Sequence, residues 1–295
     1  MSRILVVGLP RSGTTWVANV LGRHPGSVVV QEPDNPDANP LARPVQELRG
    51  LHPVLDPAEE APDYEQLWRL AYRGGWPTAP ALVALGRGAR RLPAPVMDAL
   101  VRPAAAVATR LRRPPPVAIA KSVLVTFCLE WVVERFQPQV VTLERDPVNV
   151  VASWLVMDIP LGGIDTDPRV ARNYLEPLGI APPPPDASRL ARTAWCVGVL
   201  MTASRRSQGQ HPDRAVVAHE QLCAAPEREY ERLFARLGLT WTDAANRYLA
   251  EVNRPGRGYD ARRIAGQAVR AWEGVLTTDE AATVRHIVDG FPLPY

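Results

Sequence analysis

Lysine is almost missing from this 295-residue chain: Lys121 is the only one, and every other member of the 34 basic residues is arginine. Together with abundant Ala and Pro, this is the pattern of high-GC coding, so most arginines need no functional reading. The single lysine does. An excess of one charge is also missing. With 31 acidic residues the net charge is only +3, which excludes the strongly basic character of a nucleic-acid binder. Cysteine is scarce. Cys128, Cys196 and Cys223 have no metal-ligand spacing and cannot all pair, so a reducing, cytoplasmic compartment is expected, with no metal. Long apolar runs are lacking as well. The run Ile4 to Val7 is too short for a signal peptide, and nothing approaches the ~18 apolar residues of a membrane span. The expectation is a soluble protein with at most peripheral membrane contact.

What remains is the make-up of a globular protein, 46% hydrophobic and 22% charged, long enough to bury a real core. Short β-branched runs predict strands at 3–7, 27–30, 117–120, 140–143 and 215–218. Helical patterns lie between them, at 14–21, 125–136, 149–157, 187–207 and 226–237. Strands alternating with helices imply an α/β fold: one domain over 1–295, with a central, mostly parallel sheet flanked by helices. Between the second and third strands lies an insertion, 34–116, whose proline-rich start predicts surface loops and whose later part predicts helices at 64–72, 80–91 and 94–112. Arg87 to Arg113 holds seven arginines against one acid, Asp98, and reads either as a solvated helical face or as a lid over an acceptor. The Pro182–Pro185 run predicts a stiff connector.

The chemistry begins at Gly8-Leu9-Pro10-Arg11-Ser12-Gly13-Thr14-Thr15-Trp16, between the first strand and the first helix. A tight loop there aims backbone N–H groups and the positive end of a helix dipole at an anion. Gly13 allows close approach, and the Thr14 and Thr15 hydroxyls add donors. The spacing resembles the nucleotide-triphosphate P-loop, yet Thr14 stands where that motif has its lysine, and the cation has moved to Arg11. A nucleotide kinase or NTPase is the alternative reading, and the missing lysine counts against it. A second motif, Glu144-Arg145-Asp146-Pro147 through Ser153, follows the fourth strand. Asp146 suits a helix N-cap and Pro147 a first turn. Arg145 falls at a strand's carboxyl end, where open parallel sheets bind ligands.

These two segments resemble the sulfotransferases that use 3′-phosphoadenosine 5′-phosphosulfate (PAPS). Pro10 to Trp16 is similar to their 5′-phosphosulfate loop, (Lys/Arg)-Ser-Gly-Thr-Thr-Trp. Arg145 with Ser153, eight positions on, is similar to their 3′-phosphate site. Weaker likeness continues through His219-Glu220-Gln221-Leu222, Pro226, Leu237-Gly238-Leu239, Ala271-Trp272 and the Thr277/Glu280 helix start. The resemblance implies PAPS as donor, 3′-phosphoadenosine 5′-phosphate (PAP) as product and no metal. The acceptor it implies is a hydroxyl on a small molecule, glycolipid or saccharide. It also implies that Arg11 neutralises the 5′-phosphosulfate, that Lys121 contacts the transferring group, and that Trp16 stacks on adenine unless it serves only in core packing. Arg257 and Gly258 would form a late loop to the 3′-phosphate, on a poor local match.

The acceptor hydroxyl needs a base. One branch of the family places a histidine two positions after the strand-three lysine, where this chain has Val123. Other branches use a glutamate, which selects Glu32, just past the second strand. Glu32 either acts as that base or braces Arg11 by a salt bridge. His24 is read as a helix cap. His52, His211, His219 and His286 receive no role.

Overall fold

Ile4, Leu5, Val6 and Val7 are all buried, and their alternation fixes the architecture. In the computed structural model, which describes residues 1–75, 107, 113–253 and 269–292, they lie in strand β1 (Ser2–Gly8). Ile4 and Val6 enter one core with Val17, Leu21 and Phe234, while Leu5 and Val7 enter another with Leu41, Tyr64 and Trp68. A strand buried on both faces belongs at the centre of a parallel sheet. β1 indeed pairs in parallel on both sides.

The remaining strands are β2 (Ser27–Gln31), β3 (Val117–Ser122), β4 (Gln139–Glu144) and β5 (Ala215–Ala218). Their order is β2-β3-β1-β4-β5, and all four pairings are parallel. Leu9, Glu32, Val123, Arg145 and His219 are the residues that follow the five strands. All of them therefore arrive at one rim.

Helices among the described residues are α1 (Thr14–Leu21), α2 (Ala42–Arg49), α3 (Pro62–Ala71), α4 (Leu129–Phe136), α5 (Pro147–Val156), α6 (Arg189–Gln210), α7 (His219–Ala224), α8 (Pro226–Arg236), α9 (Asp243–Val252) and α10 (Thr278–Asp289). α2, α3 and α4 cover one face of the sheet, and α1, α8 and α9 the other. A third core joins α5, α6 and α10 through Val148, Trp154, Val197, Leu200 and Val284.

The proline-rich start of the insertion follows expectation in part. Residues 32–41 and 50–61 are irregular, but between them lies α2, whose Ala42 and Val45, with the preceding Leu41, are buried in the same core as α3. Pro44 lies in the first helical turn, where no intrahelical N–H bond is lost. The helix predicted at 125–136 opens with a 3-10 turn, Thr126–Cys128, before α4 begins. Asp146 caps α5 by accepting from Asn149 N–H at 3.0 Å. Thr277 and Glu280 form a capping box on α10. The helices predicted at 80–91 and 94–112, and the arginines from Arg87 to Arg112, lie outside the described residues.

Candidate active site

The loop after β1 turns sharply. Arg11 and Gly13 both have left-handed backbones, at φ 72° and φ 100°. Only glycine suits position 13, because a Cβ there would lie 2.7 Å from His219 Cδ2. The turn closes with Ser12 N–H donating to Leu9 O at 3.0 Å, and α1 begins at Thr14. Trp16 N–H donates to Gly13 O at 3.0 Å, and the N–H groups of a helix's first turn in general lack intrahelical acceptors and suit an anion.

The second motif is bonded directly to this loop. Arg145 donates to Arg11 O at 2.6 Å, Trp154 Nε1 to Pro10 O at 2.8 Å, and Arg11 Nε to Ser153 Oγ at 3.0 Å. Arg11 and Ser153, 142 positions apart, thus form one polar unit. Burial works against the charge of the Arg145 guanidinium, while the neighbouring Glu220 carboxylate favours it.

Across the rim, Lys121 sits in β3 at 3% exposure and pairs with Glu32 Oε1. Asn35 Nδ2 donates to Glu32 Oε2 at 2.5 Å. Glu32 leaves the sheet with a left-handed φ of 46°, and its N–H donates to Lys121 O at 2.6 Å. Of the two roles open to Glu32, the geometry places its carboxylate on Lys121.

A cavity of about 740 Å³ joins these groups. Its wall includes Pro10, Arg11, Gly13, Thr14, Thr15, Trp16, Glu32, Lys121 and Arg145. Ser12 and Ser153 do not line it. Ser12 is buried on the far side of the loop, beside Leu143, Val150 and Met201, and its hydroxyl has no hydrogen-bond partner among the described residues. Arg257 and Gly258 lie outside the described residues. Trp16 meets His219 and Tyr230 edge-on, with ring centroids 6.3 and 5.3 Å away, so it packs against the core while lining the cavity.

Two histidines given no role in the sequence also line this cavity. His219 directly follows β5, the same strand-end signal that marked Arg145. Burial, with Arg145 adding to it, lowers its pKa to about 3, so the ring is neutral. His52 rests over Gly162, whose added Cβ would lie 2.7 Å from the ring, and edge-on to Phe127. Burial lowers its pKa to about 4. No sequence signal marked His52. His24 holds α1 to the segment before α9, its Nδ1 accepting from Thr240 N–H at 3.1 Å.

No group of three or more His, Cys, Asp or Glu among the described residues is arranged to hold a metal ion. No helix among them is long and apolar enough to cross a membrane.

A parallel α/β sheet thus brings the loop after β1, an arginine bonded to it and a Lys–Glu pair to one rim, an arrangement suited to an anionic ligand. Comparison with known proteins makes the class specific. A model of the sulfotransferase family matches residues 3–243, and the chain belongs to that family. The sulfotransferase domain from the curacin biosynthetic pathway superposes with a TM-score of 0.51 at 15% identity, covering 99% of both chains. The corresponding domain of the Synechococcus PCC 7002 olefin synthase gives 0.49 at 15% identity, over 99% of this chain and 94% of that one. Mouse sulfotransferase SULT7A1 complexed with PAP gives 0.43 at 11% identity, over 99% and 85%. No curated protein sequence matches the chain.

Proposed function

We propose that this enzyme transfers a sulfuryl group from PAPS to an acceptor hydroxyl, with Glu32 as general base. The observation that carries the reading is the Glu32–Lys121 pair, set in one cavity with the loop of residues 10–16 and Arg145. The residues suit a nucleotide bearing anions at both ends. Arg11 and the start of α1 serve the 5′-phosphosulfate. Arg145 serves the 3′-phosphate, and Ser153, set behind the cavity wall, supports that site through the hydrogen bond its hydroxyl accepts from Arg11. Trp16 and His219 border the adenine. Gly13, Thr14 and Thr15 line the phosphosulfate, and Pro10 and Ser12 shape the loop behind it.

Donor binding supplies the electrophilic sulfur, and this chain's residues supply position and charge. Lys121 exchanges its Glu32 partner for the sulfuryl oxygens, which leaves the carboxylate of Glu32 able to accept a proton. Glu32 takes that proton from the acceptor hydroxyl as the new O–S bond forms and the bridging S–O bond to the phosphate breaks. Arg11 and Lys121 neutralise the charge left on the departing phosphate oxygen, a task these cations perform without a metal. The products are a sulfate ester and PAP, with the proton on Glu32.

The acceptor enters from the opposite wall. There Leu51, His52, Val123, Leu124, Ile159 and Pro160 gather, held by the packing of His52 on Gly162 and Phe127. This apolar wall favours a small molecule or lipid with an apolar body over a bare saccharide. Insertion residues such as Gln46, Leu51 and His52 belong to this wall, in keeping with an acceptor-binding role for 34–116 within a single domain. Calorimetric titration tests the donor assignment. PAP should bind without Mg²⁺ and more tightly than ATP, and Mg²⁺-dependent preference for ATP would overturn it.

A further inference from the structure

Two positions beyond Glu32 the chain buries a second carboxylate that the mechanism above leaves unused. Asp34 is 6% exposed. Its partners are two hydroxyls: Ser122 Oγ lies 2.8 Å from both carboxylate oxygens, and Tyr64 donates to Oδ2 at 3.0 Å. Burial pushes the carboxyl up to about 6; the Ser122 hydrogen bond opposes that shift, and the nearby Glu32 charge adds to it. An acid in such surroundings is expensive to keep, and a well-packed apolar side chain would do better for stability alone. Its place in the chain suggests another purpose.

Ser122 is the neighbour of Lys121 at the end of β3, and Asp34 follows Glu32 by two residues at the end of β2. The Asp34–Ser122 contact therefore joins the two strand ends that carry the reacting pair. Ser122 Oγ also accepts from Leu124 N–H at 3.1 Å, extending the link to the acceptor wall. Between the strands, Glu32 has φ 46°, a left-handed conformation unfavourable for a non-glycine residue. Something must hold it there. Pro33 O accepts from Asn39 Nδ2 at 2.7 Å, and Asp34 supplies the buried anchor on the β3 side.

We propose that Asp34 is a positioning residue, which by bridging Ser122 and Tyr64 holds the left-handed turn at Glu32 and so sets its carboxylate against Lys121. The proposal rests on the reading of Glu32 as the base. Asp34 touches no reacting atom. Its effect is expected on turnover and not on donor binding, since Arg11 and Arg145 belong to other strand ends.

The test compares Asp34→Asn, Ser122→Ala and Glu32→Gln with the wild type. Sulfate transfer from radiolabelled PAPS to dodecanol and naphthol is followed, with PAP affinity and Tm measured alongside. A misplacement of the base by an ångström lowers kcat by about 100-fold, so kcat should fall by roughly 10- to 100-fold in both Asp34→Asn and Ser122→Ala. The KM for PAPS and the affinity for PAP should stay at wild-type values. Lower Tm with unchanged kcat, or equal losses in kcat and PAP affinity, would make Asp34 merely structural and overturn the proposal. If Asp34→Asn fails to fold, Ser122→Ala decides alone, because it removes the same link without touching the carboxylate. An inactive Glu32→Gln beside a fully active Ser122→Ala would leave the base standing and remove the positioning role. A fully active Glu32→Gln would overturn both.

Discussion

Replacing Arg145 by alanine tests the proposed 3′-phosphate site apart from the rest of the cavity. The guanidinium follows β4, lines the cavity and donates to Arg11 O at 2.6 Å. Two losses follow from its removal. The first is the charge-assisted contact to a 3′-phosphate, worth about 1.5–3 kcal/mol, or roughly 10- to 150-fold in Kd. The second is the donor to Arg11 O, whose loss costs about 1–3 kcal/mol of stability and loosens the loop for every nucleotide alike. Only the first depends on the 3′-phosphate. Titration calorimetry with PAP and with AMP should therefore show the PAP-to-AMP preference falling by roughly 10- to 150-fold in Arg145→Ala. Arg145→Lys should keep the charge but lose the two-pronged donor geometry, giving an intermediate preference. If PAP and AMP weaken by the same factor in Arg145→Ala, the 3′-phosphate assignment is wrong and Arg145 acts only as a brace for the loop.

Other consequences are open to measurement. Lys121→Ala should slow single-turnover transfer by about 100- to 1,000-fold, the loss typical of a donor aimed at developing charge, while PAP binding persists; an unchanged rate would reduce Lys121 to structure. Gly13→Ala forces a side chain onto φ 100° and to within 2.7 Å of His219 Cδ2. A backbone cost of ~1–2 kcal/mol should lower Tm and weaken PAP binding, with partial recovery in a Gly13→Ala/His219→Ala double variant. Asp34 also has a pH signature. Burial raises its folded-state pKa from the ordinary 3.8 to about 6, so native Asp34 retains a proton that the unfolded chain releases first. That stabilisation is complete below the unfolded value and lost as pH rises through the folded one, amounting to ~3 kcal/mol at most. Denaturant titrations from about pH 4 to 7 should show the stability of Asp34→Asn improving relative to wild type as pH rises. His52 and His219 titrate in both proteins and cancel in this difference. A constant gap would contradict the burial of a charged Asp34.

The five strands were legible because each is a short β-branched run that ends at a turn or motif residue, and a parallel sheet brings such ends to one rim. That rule predicts that Arg145, Glu32 and Lys121, picked out by resemblance, converge at one rim. It also applied to His219, directly after Ala218, where attention to histidine partners in sequence obscured its strand-end position. α2 was missed for a different reason. Its prolines read as loop, yet Pro44 falls in a first turn and Leu41 and Val45 supply a buried face. The Asp34–Ser122 link was invisible because it spans 88 positions and joins residue types common in any loop. The same holds for Arg11 and Ser153: the motif spacing marked both, but not that one hydroxyl serves the other's guanidinium. His52 depends on packing against Gly162 and Phe127, contacts that no local pattern encodes.

The proposed mechanism depends on the Glu32–Lys121 pair, and transfer of label from PAPS tests it most directly. Wild-type enzyme incubated with radiolabelled PAPS and an apolar alcohol should yield labelled sulfate ester and PAP. Glu32→Gln should bind PAP as tightly as wild type yet form almost no ester. Ester formation at the wild-type rate by Glu32→Gln would show that the proton leaves by another route and that this carboxylate is not the base.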